Sequence, residues 1–118
     1  MSNQPLTVNT TPHPFGAYVL TVTGELDHHT SPLLRGALDE IALATGTGLV
    51  IDVSGMTYCD STGITLLVSA YQRAQAADAR LSLAGSSPDL LRVFRIVGLD
   101  QVFTLQPTTE QAIAALRS

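Results

Sequence analysis

The run 49-LVIDV-53 is apolar at every position except Asp52, so both faces of the strand it forms need burial. Such a segment belongs at the centre of a mostly parallel sheet flanked by helices. The neighbouring segments supply the helices. The stretch 31-SPLLRGALDEIALATG-46 opens with a capping serine and Pro32 in its first turn, carries Leu33, Leu34, Ala37, Leu38 and Ile41 on one face, and stops near Gly46. After the apolar strand, 61-STGITLLVSAYQRAQAAD-78 places Ile64, Leu67, Val68 and Tyr71 at helical spacing, and 80-RLSLAG-85 returns to strand. A third helix, 87-SPDLLRVFRIVG-98, again has Ser-Pro at its start and glycine at its end. A short strand over 101–105 and a last helix from Thr108, with Gln111 placed for a capping box, complete the order. Before all of these, residues 5–10 and 17–24 read as an antiparallel pair joined through 12-PHPFG-16. The expectation is an α/β fold: a small mixed β-sheet of about four to five strands flanked by about four helices, with residues 1–118 as one domain.

Composition narrows the functional classes. The chain has 118 residues, 45% of them hydrophobic and only 14% charged, enough for one core and too few residues for a second domain. The formal charge is −4, and the six basic residues are scattered arginines with no lysine among them. Nucleic acid and anionic membrane surfaces call for clustered cations, so neither is an expected partner. No segment reaches the roughly 18 consecutive apolar residues of a membrane helix, and 1-MSNQPLTVNT-10 lacks the basic and apolar regions of a secretion signal. A single cysteine, Cys59, forms no internal disulfide and suits a reducing compartment. These features together predict a cytoplasmic protein.

Right-handed crossovers between parallel strands bring the loops after 17–24, 49–53 and 81–84 to one edge of the sheet, where α/β proteins place their sites. Those loops are 24-GELDHHT-30, 54-SGMTYCDST-62 and 85-GSSP-88. In the second, Asp60, Ser61 and Thr62 put three oxygen-bearing side chains at a helix start. One of them is needed as an N-cap, a position at which either Asp60 or Ser61 would serve, and Ser61 is the expected cap. Capping leaves the other two, and Gly63 in a first turn where glycine costs about 1 kcal/mol against alanine, to be explained. In the first loop, Asp27 suits a local side-chain turn, and Thr30 or Ser31 a cap. The adjacent His28 and His29 cannot both aim at one metal ion, and a zinc site wants three or four ligands. A serine hydrolase using Ser61 with His28 or His29 is a second reading, without the G-x-S-x-G elbow of the best-known examples. A nucleotide-binding sensory module is a third. The turn 85-GSSP-88 reads most simply as a glycine turn, a Ser87 cap and Pro88, without the glycines and lysine of a phosphate loop.

The segments 24-GELDHHT-30, 50-VIDVSGMTYCDSTG-63 and 94-FRIVGLDQVF-103 resemble, in order and spacing, the anti-sigma factor antagonists, single-domain members of the STAS family. The resemblance spans nearly the whole chain, and its most specific element is D-S-[S/T]-G after an apolar strand, with G-E-[I/L]-D about one βα unit earlier. It implies the STAS fold, no catalysis by the chain itself and no cofactor. It implies phosphorylation of Ser61 by a partner that is both serine kinase and anti-sigma factor, and removal of the phosphate by a PPM-type phosphatase. The unphosphorylated form then holds the anti-sigma factor and frees sigma, and the phosphorylated form releases it. By the same resemblance Asp27, Asp60, Thr62 and Gly63 contact the partner or shape its approach. Two positions depart from the common pattern: Ile64-Thr65 replaces Leu-Gly after the motif glycine, and Cys59 stands where a larger apolar residue is usual. Both bear on partner choice.

Overall fold

Leu49, Val50, Ile51 and Val53 have no exposed surface, and the strand that carries them is the middle one of five. The computed structural model describes residues 6–101 and 103–117. Its sheet consists of β1 (Thr7–His13), β2 (Ala17–Leu26), β3 (Gly48–Cys59), β4 (Arg80–Ala84) and β5 (Thr104–Gln106), in that spatial order. β1 is antiparallel to β2, and every other pair is parallel. The helices are α1 (Ser31–Asp39), α2 (Ser61–Ala76), α3 (Pro88–Ile96) and α4 (Thr109–Arg117). The mixed sheet and four helices are those expected from the sequence.

Alternation along β3 divides the core. Leu49, Ile51 and Val53 face a large cluster that includes Leu34 and Leu38 of α1, Leu66, Leu67 and Ala70 of α2, and Leu90 and Phe94 of α3. Val50 faces the other way and packs with Val19, Ala84 and Ala112, with Ile113 and Leu116 of α4 against them. Three helices thus cover one face and a single helix covers the other. The crossovers β3–α2–β4 and β4–α3–β5 both run over the three-helix face, which brings the ends of β2, β3 and β4 to a common edge.

Boundaries differ from the sequence reading in several places. α1 ends at Asp39, well before residue 46; the chain leaves the helix at Glu40, although Ile41 still reaches the core. Gly46, expected to stop the helix, has φ +90° in a turn closed by Thr47 N–H to Ala44 O at 2.9 Å. Its conformational freedom serves the turn into β3. β3 in turn does not stop at residue 53. Residues 54–59, expected as loop from their polarity, stay paired to β2, with Gly55 opposite Thr23, Tyr58 opposite Glu25 and Cys59 opposite Leu26. Polarity misled because this extension runs past the end of β4, where Ser54, Thr57 and Tyr58 are exposed while Met56 enters the core.

In the amino-terminal pair, the strand expected over 5–10 runs Thr7–His13, and Pro14–Gly16 forms the turn to β2; Pro5 lies outside the described residues. The strand expected over 101–105 is confined to Thr104–Gln106 after a short 3₁₀ turn at Leu99–Gln101, with Val102 outside the described residues. Two helix starts are as expected. Ser87 Oγ accepts the Leu90 N–H at 3.2 Å, and Thr108 Oγ1 accepts the Gln111 N–H at 3.1 Å.

The unequal cover of the two faces has a measurable consequence. Leu67→Ala, which empties a fully buried site under three helices, is expected to cost about 2–5 kcal/mol in urea unfolding. Ile113→Ala, on the half-buried face of the lone helix, is expected to cost about 1 kcal/mol. Equal losses would contradict the assignment of a major and a minor core.

Candidate functional site

The paired extension of β2 and β3 ends in two loops that a single carboxylate joins. Asp60 N–H first donates to Leu26 O at 3.1 Å, which fixes the start of α2 against the end of β2. Asp60 then takes the N-cap of α2: its Oδ1 accepts the Gly63 N–H at 2.9 Å. Its Oδ2 accepts the backbone N–H of His28, on the other loop, at 3.1 Å. A helix start and a strand end that are far apart in sequence are thereby held together by one side chain.

Ser61, expected to cap α2, is consequently not the cap, because the Asp60 carboxylate one residue earlier already accepts the free N–H of the first turn. It occupies the first helical position, exposed, and its carbonyl accepts the Thr65 hydroxyl at 2.9 Å. Thr62, next along, is half-buried. Gly63 is buried, and a Cβ built there would lie 2.8 Å from Leu26 Cγ and 2.9 Å from Cys59 Sγ. The small residue lets the first turn of α2 sit directly on the ends of β2 and β3, a close approach within the chain itself. Cys59 is half-buried under that turn, and burial together with the Asp60 charge pushes its thiol up to about 12, so it stays protonated at neutral pH.

Asp27 organises the first loop. Its Oδ1 accepts the Thr30 N–H at 2.9 Å, and its own N–H donates to Thr30 Oγ1 at 3.0 Å. Thr30 Oγ1 donates onward to Glu25 O at 2.7 Å, and Ser31 N–H closes on Asp27 O at 2.8 Å. The Thr30 N–H bond, ahead of smaller contributions from the Thr30 hydroxyl and His29, lowers the Asp27 pKa from its ordinary value. Ser31, expected to cap α1, is instead its first residue, buried, with Oγ donating to His28 O at 3.3 Å. His28 and His29 are both exposed, and among the described residues no hydrogen bond joins either imidazole to Ser61.

The structure therefore brings Asp60, Ser61 and Thr62 to one surface with the Asp27–His29 loop beside them, and sets Gly63 buried underneath. Sequence reasoning missed two features. One is the His28 backbone N–H, which no residue-type pattern marks. The other is Tyr58, 52% exposed at the end of β3, whose signal was the strand-like alternation that continues past residue 53.

Comparison with known proteins decides the family. Residues 7–112 match the STAS domain. The chain belongs to the STAS domain family. Among curated relatives of this STAS domain, an anti-sigma-B factor antagonist of Listeria monocytogenes is 34% identical over 85 residues, covering 72% of this chain and 75% of the relative. An anti-sigma F factor antagonist of Lysinibacillus sphaericus is 31% identical over 100 residues, covering 84% and 85% of the two chains. The crystal structure of an anti-sigma factor antagonist from Mycobacterium paratuberculosis superposes on the STAS domain with a TM-score of 0.88 at 28% identity. It covers 99% of this chain and 98% of that one.

Two expected outcomes test the geometry. Asp60→Ala, which removes the cap and the tie to His28, is expected to cost about 1–2 kcal/mol. Asp60→Asn retains an oxygen for Gly63 but turns an amide donor toward His28, so stability should be nearly kept while hydrogen exchange at the His28 amide accelerates. Urea melts and amide exchange followed by NMR read the two effects separately.

The second concerns pH. A carboxylate whose folded pKa lies below its unfolded value stabilises the fold above the unfolded value and loses that contribution as pH falls through the folded one. Stability should thus decline with an Asp27 component on acidification below about 3.8, the ordinary value of the group. Asp27→Asn should flatten that part of the acid limb and leave the neutral-pH side little changed in slope.

Proposed function

We propose that this STAS domain is an anti-sigma factor antagonist controlled by phosphorylation of Ser61. Unphosphorylated, it binds an anti-sigma factor that is also a serine kinase, and sigma is released. Phosphorylated, it lets the kinase go, and a PPM-type phosphatase resets it. The curated relatives carry the antagonist role in their names. The single observation that supports Ser61 as the switch is its position: exposed, at the first residue of α2, with the capping duty taken by Asp60. Its hydroxyl is not needed by the backbone, so a kinase can take it without unfolding a turn.

The chemistry of the switch is electrostatic. A phosphoryl group adds about −1.5 to −2 charge beside Asp60, and the neighbouring backbone N–H groups of α2 make the addition locally tolerable. Burying that dianion in an interface without a facing cation costs several kcal/mol, and about 4 kcal/mol is a thousandfold in affinity. Asp27 and Asp60 hold the two loops that present Ser61, Gly63 sets how closely α2 sits on them, and Thr62 borders the hydroxyl. The partners act on transcription, which places the switch in the cytoplasm. The described residues contain no helix long and apolar enough to cross a membrane. The hydrolase reading gains no comparable support, since no hydrogen bond links Ser61 to His28 or His29 among those residues.

Incubation with the cognate kinase and ATP, followed by peptide mass spectrometry, is expected to place phosphate on Ser61 and not on Thr62. Ser61→Asp should lose kinase binding by about a hundredfold or more in calorimetric titration, while its stability stays within about 1 kcal/mol of the parent. Ser61→Ala should bind and resist release by ATP. Because Asp60 is the cap, this alanine should also cost less than the roughly 0.5–2 kcal/mol of a lost N-cap. Phosphate on Thr62, or parental binding by Ser61→Asp, would overturn the proposal.

A further inference from the structure

A second crevice opens on the same edge of the sheet, between β4 and β5. These adjacent parallel strands are followed by loops that diverge: residues 85–87 lead to α3 on the three-helix face, and Pro107–Thr108 lead to α4 on the opposite face. In open α/β sheets, that divergence leaves a crevice outside the carboxyl ends of the two strands, the usual location of a ligand. Here it forms a cleft of about 480 Å³. That volume lies within the roughly 300–1,000 Å³ typical of small-molecule sites. Gly85 N–H donates to Gln106 O at 3.0 Å across its base. Gly85 itself has φ +77°, and a Cβ there would lie 2.7 Å from Ser54 Cβ, so the loop turns where a side chain does not fit.

The lining has a defined chemistry. Leu91, Leu105 and Pro107 supply apolar wall. Arg95 lines the same cleft, and among the described residues its guanidinium makes no ion pair or hydrogen bond. Ser86 also lines it, and Ser86 Oγ is buried without a hydrogen-bond partner. An orphan buried hydroxyl is uncommon enough in folded proteins to call for an explanation, and a bound acceptor is one. Asp100 completes the rim, and its charge opposes anions in proportion to their charge, least a monoanion and most a polyanion.

We propose that the cleft between the carboxyl ends of β4 and β5 binds a small monocarboxylate with an apolar body. Arg95 pairs with the carboxylate, rotation about the Ser86 Cα–Cβ bond brings its hydroxyl to the same oxygens, and the apolar body lies against Leu91, Leu105 and Pro107. This site is built from residues separate from Ser61 and does not depend on the phosphorylation proposal.

The test is an NMR titration of the full chain with octanoate, in parallel with octanol, which has the body without the charge, and with pyrophosphate, which has the charge without the body. Octanoate is expected to shift the amides of Gly85, Ser86, Leu91 and Gln106 saturably, with affinity about tenfold or more above that of octanol. Pyrophosphate should produce no saturable shift at these residues. Arg95→Gln, at an exposed position that keeps the fold by thermal melting, should reduce octanoate affinity about tenfold. Ser86→Ala should weaken octanoate binding without lowering the stability of the free protein, because it removes a polar group that has no partner. Equal affinity for octanol, unchanged affinity in Arg95→Gln, saturation elsewhere, or no binding up to millimolar concentration would each overturn the proposal.

Discussion

The Asp60 carboxylate is the contact on which the candidate site depends. Each oxygen satisfies one backbone donor: the Gly63 N–H at the start of α2, and the His28 N–H on the loop after β2. An unpaired donor at a helix start or in a tight loop would otherwise have to be met by water, so the carboxylate fixes two chain segments at once. It also frees Ser61. Had the serine been the cap, its oxygen would be committed to the backbone, and modifying it would disturb the helix end it supports. With the neighbouring acid in that role, the hydroxyl at the first helical position can change chemically while the scaffold beneath it stays the same.

That scaffold is unequal by construction. The Leu49–Val53 part of β3 packs on both faces, but α1, α2 and α3 share one face and α4 has the other. Two consequences for function follow from this single fact. The loops after β2 and β3 both feed helices of the crowded face, so they lie close enough for Asp60 to bridge them. The loops after β4 and β5 feed helices of opposite faces, so they separate and leave the cleft lined by Ser86 and Arg95. Close loops make a continuous surface, and diverging loops make a cavity.

Much of the fold could be read from local pattern. The apolar run 49–53, the Ser-Pro start of α3 and the spacing of Leu67, Val68 and Tyr71 each mark an element through a requirement met within a few residues. Reading failed where one residue type serves two ends. Gly46 suits a helix stop and a turn equally well, and only the bond from Thr47 to Ala44 shows that it makes the turn. The polar stretch 54–59 reads as loop because burial on one face alone resembles a loop in composition. Its pairing with β2 is a long-range fact. Likewise Gly63 marks a close approach without identifying the neighbour, and the side chains that press against it are Leu26 and Cys59.

The sequence by itself determined the element order, the central place of β3, the edge at which the polar loops gather, and Asp60, Ser61, Thr62 and Gly63 as the residues of interest. Periodicity, capping chemistry and crossover handedness are local or nearly local constraints, and they leave a trace in the order of residues. Only the tertiary structure decided which of Asp60 and Ser61 caps α2, which donor the second Asp60 oxygen takes, and that Arg95 and Ser86 share a cleft in which neither side chain has a partner among the described residues. Those outcomes rest on distances between segments far apart in the chain. A donor such as the His28 N–H is present in every residue but proline, so no sequence pattern can single it out before the loops are brought together.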